Sequence, residues 1–238
     1  MAGWAAARRK IRVAGAGGVA ALGVSLLLSA CSPVQVGAAA IVGNQRITQS
    51  TLDTQVSSFN DAAADYPGQV QVTAAEAPAA VLTWLILFAI EDRMASDAGI
   101  TVSQADIQAG TVSIEQQIAQ EESQAGVSPN LNAGLLNVGL PPQMLPDLGK
   151  YQAQLDAFAV KVNGGKLPTT TAENSAVDTA VTKARCTAAK SLSIQVNPQY
   201  GQFNYTQYAV QSGTSDNTLS ALSGPPVKPS TAGLTPAC

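Results

Sequence analysis

The sequence predicts a mainly α protein: a single helical domain of about five to six helices with a small β element that pairs strands from its N- and C-terminal ends. Three observations carry that expectation. Residues Trp84 to Ile90 are seven consecutive apolar positions, which cover the whole circumference of a helix rather than one stripe and call for packing on several sides. From about Gln49 to Ala188, apolar residues recur at three- and four-residue steps between capping and stop residues. Strand signals are short and confined to two stretches, a hairpin pattern over Ala38–Ile47 and an alternation over Ser191–Val196. The body between them, roughly 40–205, is the size of one domain.

Taken in order, Ala38–Ile47 reads as a hairpin with Gly43-Asn44 at the turn and Ile41, Val42 and Ile47 as apolar partners. Thr48 stands where an N-cap belongs, and Leu52, Val56 and Phe59 mark one face of a helix from about Gln49 to Ala64. Thr73-Ala74-Ala75-Glu76 matches a capping box ahead of Pro78, so the long helix begins within Thr73–Pro78 and runs to Ala98, with Gly99 as its C-terminal cap. Arg93 and Asp97 are placed to pair on its exposed end.

Ser103, with Asp106 three residues on, opens a third helix whose buried side carries Ile107, Val112 or Ile114, and Ile118. Leu131–Val138 is a short helix stopped at Gly139. Pro141-Pro142 opens another with Met144, Leu148, Tyr151, Leu155, Phe158 and Val162 in register, ended by Gly164-Gly165. Thr171 and Glu173 start a last helix with a mostly small stripe: Ala176, Val177, Ala180, Val181, Ala184 and Ala188. Residues 206–238, rich in Ser, Thr and Pro, read as a disordered tail.

The N-terminus is an address rather than fold. Arg8, Arg9, Lys10 and Arg12 precede an apolar stretch, Val13–Ala30, in the pattern of a secretory signal. It ends in Leu28-Ser29-Ala30-Cys31, which resembles the lipobox of bacterial lipoproteins. That resemblance implies removal of residues 1–30, diacylglyceryl transfer to the Cys31 sulfur, acylation (for example by palmitate) of the new N-terminus, and a short tether over 31–38. The location implied is the extracytoplasmic face of the bacterial cell membrane. The alternative is an ordinary signal peptide or single anchor with Cys31 incidental. Acyl chains hold a protein on a bilayer at about 0.8 kcal/mol per buried methylene.

Loss of residues 1–30 leaves 9 basic residues against 16 acidic, a formal charge of −7. An acidic chain without a basic cluster argues against nucleic acid as partner. Cys186 and Cys238 are then an even pair in an oxidising compartment and the candidate disulfide; two free thiols are the alternative.

The succession V-G-N-Q-R-I-T-Q-S-T-L-D, a long helix of the type A-V-L-T-W-L-I, and A-S-D-A-G-I-T-V-S-Q-A-D-I resembles the N-terminal domain of the SurA, PrsA and trigger-factor-like chaperones. G-L-P-P-Q-M-L resembles a later helix start of that family, and I-Q-V-N-P-Q-Y-G-Q-F its closing strand in short lipoprotein versions. The resemblance covers 39–205. It implies a strand leading into a helix, a long buried helix, and a chaperone-like role on unfolded or extended polypeptides. Many relatives insert a parvulin isomerase domain before the closing helix; here Val162–Thr171 leaves no room for it. Parvulin-type sites also rely on histidine, and this chain has none.

Absence of histidine removes the commonest general base and metal ligand. Two well-separated cysteines make no zinc site. Glu91-Asp92 and Glu121-Glu122 are adjacent pairs whose side chains point about 100° apart on a helix, and both read as solvated faces. The sequence therefore argues for a protein that is not an enzyme and uses no cofactor or metal. A polypeptide binder is the first reading, and a structural subunit of an envelope complex the alternative. Trp84 and Phe88, one turn apart, read first as core. With Met144, Tyr151 and Phe158 they are also the candidate lining of a peptide groove.

Overall fold

The computed structural model describes residues 36–211 and 238. Cys31, the leader and 212–237 lie outside the described residues. The chain enters through a hairpin of β1 (Ala38–Val42) and β2 (Gln45–Thr48), with Val42 opposite Gln45 and a bulge between Ala38 and Ala40. Ala38 thus belongs to the first strand rather than to the tether. Thr48 ends β2 and caps α1 (Gln49–Ala63), its hydroxyl accepting from the Thr51 N–H at 3.0 Å.

Helix α2 (Ala77–Asp97) follows a turn. The Glu76 carboxylate accepts from the Thr73 N–H (2.9 Å) and hydroxyl (2.8 Å), but the Glu76 N–H bonds the Thr73 carbonyl instead of its hydroxyl. The expected capping box is therefore half made, and the helix begins at Ala77 with Pro78 in its first turn. Its other end is a Schellman closure: the Gly99 N–H reaches Ser96 O, the Ile100 N–H reaches Ala95 O, and Gly99 takes φ +62°.

Helix α3 (Gln104–Gln124) carries a complete capping box between Ser103 and Asp106. Next come α4 (Leu131–Asn137), a 3-10 turn over Pro142–Met144, and α5 (Leu145–Val162). A second complete capping box, Thr170 with Glu173, opens α6 (Thr171–Ser191). The amides of Thr169 and Thr170 hold the Glu173 carboxyl down at about 2.

The alternating run 191–196 yields only a two-residue strand, β3 (Gln195–Val196), because α6 continues to Ser191 and Ser193 turns the chain at φ +46°. Strand β3 pairs antiparallel with β1, Ala40 opposite Val196, so the sheet order is β2-β1-β3 and the two ends of the domain meet. The fold does not stop at 205. Strands β4 (Gln202–Asn204) and β5 (Ala209–Gln211) make a second hairpin whose second strand lies within the stretch expected to be tail. Cys186 and Cys238 are joined Sγ to Sγ at 2.05 Å.

Helix α2 is the spine. Its Val81, Leu82, Ile86 and Ile90 are fully buried in one cluster with Leu52, Phe59 and the first strand. Its Trp84 and Phe88 pack against a second cluster built on Ile114, Leu135, Leu140, Met144, Leu148 and Tyr151. Two cores on opposite flanks of one helix explain an apolar run with no polar side. Helices α3 and α5 meet through glycine: a Cβ on Gly110 would sit 2.3 Å from the Gly149 carbonyl, and one on Gly149 would sit 2.1 Å from Thr111 Oγ1. On α3 the buried choice is Ile114; Val112 is 48% exposed.

Candidate functional site

Glu91 sits on α2 three residues after Phe88, the end of the second core's aromatic pair, and its side chain is fully buried. The reading of Glu91-Asp92 as a solvated face is therefore wrong for Glu91. Its row along the helix, Leu87–Glu91–Met94–Ala95, runs through packed positions, whereas Asp92 is one step round and exposed. Asp92 pairs there with Lys150 at 2.6 Å and accepts from Gln154 at 2.8 Å. Glu121 is exposed, while Glu122 accepts the Asn130 N–H and ties the loop that follows α3.

Arg185 of α6 reaches Glu91 with Nε (3.2 Å) and Nη2 (3.1 Å), both donating to Oε2. The same Nη2 donates to the Tyr151 hydroxyl at 3.0 Å, and the guanidinium carbon lies 5.7 Å from the Tyr151 ring centre. Three helices thus place one acid, one guanidinium and one phenol at a single buried point. Tyr208, from the turn before β5, approaches the same charges: its hydroxyl lies in the field of Arg185 and Glu91.

The cluster is not fully satisfied. Because both guanidinium bonds go to Oε2, Glu91 Oε1 has no hydrogen-bond partner, and neither does the buried Tyr208 hydroxyl. Each such orphan costs about 1–3 kcal/mol. Burial pushes the Glu91 carboxyl up, and the Arg185 charge and hydrogen bond only partly offset that. Arg185 itself is held further into its protonated range by Tyr151 and Glu91, against its own desolvation.

The five residues expected to line a groove belong to the packing instead. Met144, Tyr151 and Phe158 are buried, at 2%, 6% and 8% exposure. Trp84 is half-buried, with its indole N–H donating to Val138 O at 2.8 Å. Trp84, Phe88 and Tyr151 stack edge to face or tilted with centroids 5.8–6.2 Å apart, an arrangement worth about 0.5–1.5 kcal/mol per pair beyond area. These rings bridge α2 to α5, so they face each other and not an opening. Phe158 instead joins the first core.

Beside the ring cluster, Phe88, Asp92, Asp147, Lys150, Tyr151 and Gln154 enclose about 50 Å³. That is room for a few waters, well short of the several hundred Å³ of a metabolite pocket. A shallow depression of about 520 Å³ between α1 and the 3-10 turn is lined by Asp53, Thr54, Ser57, Ser58, Asp61 and Gln143. Among the described residues no group of three or more His, Cys, Asp or Glu is placed to hold a metal, and no helix is long and apolar enough to cross a membrane.

Sequence reasoning missed the Glu91–Arg185 pair, and the signal for it was helix phase. Arg185 lies directly after Ala184 in the small-residue stripe of α6, and Glu91 lies in an apolar row of α2; each is a charge on a face that packs. Compared with known proteins, the chain matches no family model, no curated protein and no solved structure. Its own fold and residues are the ground for a function.

Proposed function

We propose that this chain is a membrane-anchored extracytoplasmic lipoprotein, held by acyl chains on Cys31, that binds unfolded or extended polypeptides in the bacterial cell envelope without enzymatic or isomerase activity. The observation that supports it best is the order of elements. A short strand leads to a capped helix, then to a long buried helix ending A-S-D-A-G-I-T-V-S, and a closing helix returns a strand to the first one. That is the order implied by the resemblance to the SurA, PrsA and trigger-factor-like chaperones, with only residues 163–170 between α5 and α6 where a parvulin domain would stand.

A second reading, a structural lipoprotein subunit of an envelope complex, is favoured by a specific feature. The large apolar residues exposed among the described ones are few, Val112, Val127, Val162 and Leu167 with Val36 at the entry, whereas a ready binding face is marked by a large contiguous apolar patch.

The two readings part in one assay. The chain from residue 32 onward should delay aggregation of an unrelated unfolding protein at a near-stoichiometric ratio, read by light scattering. No delay at any ratio returns the protein to the scaffold reading. Membrane fractionation of Cys31→Ala tests the anchor separately: the variant should leave the membrane or stay unprocessed, and normal processing with full retention would refute lipidation.

A further inference from the structure

We propose that the polypeptide-binding groove of this protein is the face of α2 that its own β4–β5 hairpin covers, and that a client strand binds there by displacing residues 208–211. This rests on the polypeptide-binding reading above and gives it a site. The hairpin forms a two-stranded sheet of its own, separate from β2-β1-β3, and two strands alone are marginally stable in water. Strand β5 lies on α2, where the Val210 N–H donates to Thr83 Oγ1 at 2.9 Å. The side chains of Tyr208 and Val210 are buried in the first core, while Gln211 is exposed and Ala209 half-exposed. The segment therefore sits as an extended peptide would: alternate side chains inward, and a backbone amide engaged by a side chain of the groove.

The fit is imperfect in a way that favours exchange. Tyr208 holds φ +52°, a left-handed conformation unfavourable for a bulky residue. Its hydroxyl is buried without a hydrogen-bond partner. By contrast, α1, α3, α4 and α6 each have a side-chain cap at the N-terminus. The cover is thus the segment whose removal releases strain. The occupant this packing selects is an extended polypeptide with an aromatic residue and a β-branched residue two positions apart, as in Tyr208 and Val210.

Two variants of one residue make the test directional. The probe is a fluorescent peptide of residues 201–211, titrated into the full chain in detergent, with amide hydrogen exchange recorded on the same samples. In the parent protein the amide of Val210, held by Thr83, should exchange about 100-fold faster than those of Ile86 and Ile90. Tyr208→Ala weakens the cover and should raise peptide affinity about tenfold, since an occupied site lowers apparent affinity by the open fraction. Tyr208→Phe removes only the unpartnered hydroxyl; it should slow hairpin exchange and weaken peptide binding about two- to fivefold. Opposite shifts from the two substitutions support the groove. Shifts in the same direction, no shift, or hairpin amides as protected as the α2 interior overturn it. If the parent and both variants delay aggregation equally and none binds the peptide, the groove is wrong and the polypeptide-binding reading stands. If the peptide binds with opposite shifts but no form delays aggregation, the groove stands and general chaperone action falls.

Discussion

Arg185 and Glu91 show how a single residue's position on a helix outweighs its composition. A carboxylate and a guanidinium taken out of water cost several kcal/mol each, and their attraction returns that only when the remaining polar atoms are also met. Here they are met in part: Tyr151 takes the spare guanidinium N–H, while Glu91 Oε1 is left over. The pair is thus a weak source of net stability and a strong source of specificity, because removing one member leaves the other charged or unpaired inside the core. Arg185→Met should cost about 3–5 kcal/mol in urea unfolding. The double variant Glu91→Gln with Arg185→Met should cost less than the sum of the singles by about 1 kcal/mol or more. Additive single effects would mean the two side chains do not act together. Nothing in the run Glu91-Asp92-Arg93 marks the first residue as different from the next two; only the phase set by Leu87 and Met94 does, and phase is resolved only once both flanks of α2 are known to be packed.

Among the elements, what the sequence made legible was whatever is written in side chains. Thr48, Ser103 and Thr170 cap helices as their side-chain oxygens allow, and Gly99 closes α2 because only glycine takes φ +62° without cost. The crossing of α3 and α5 is written in the absence of side chains, and hydrophobic periodicity is blind to it. Gly110 and Gly149 stand inside helices where glycine costs about 1 kcal/mol against alanine, which is the only trace the contact leaves. The competition between the two effects can be measured. By propensity alone Gly149→Ala would stabilise α5 by about 1 kcal/mol, but its Cβ falls 2.1 Å from Thr111 Oγ1 and 2.9 Å from Ile107 O. Overpacking of that kind costs about 1–3 kcal/mol, and backbone at 2.9 Å cannot rotate aside. A net loss of about 1–2 kcal/mol in urea is expected. Combining it with Thr111→Ala should recover part of that loss by clearing the nearer atom. A gain in stability from Gly149→Ala alone would show that the helices are not in contact at this point.

At the scale of the whole molecule, the chain is closed on itself at its far end by two independent devices. Strand β3 returns to β1, and Cys238, the last residue, is joined to Cys186 on α6, 52 positions back and one residue from the guanidinium that holds Glu91. The pairing of the ends was readable from the Gly43-Asn44 turn on one side and the alternation over Ser191–Val196 on the other. Strand β5 was not, because the residues from 206 on carry the Thr and Gln expected of a tail, and only Tyr208 and Val210 argue otherwise. A cross-link spanning 52 positions acts mainly on the unfolded chain, where closing the loop removes entropy worth about 4 kcal/mol in the chain-entropy model. Since small domains have only about 5–15 kcal/mol in hand, that share is large enough to read directly. Thiol titration of the denatured chain should count two more free thiols after reduction than before. Reduction, or Cys238→Ser, should then lower the urea midpoint by the equivalent of about 2–4 kcal/mol with an increased m-value, because the unlinked denatured state exposes more surface. The helical content of the folded state should stay unchanged in circular dichroism, since α6 carries its own caps at both ends. Equal thiol counts before and after reduction would show the two cysteines to be unlinked, and the hairpin would then be held against α2 by its buried Tyr208 and Val210 and the Thr83 hydrogen bond.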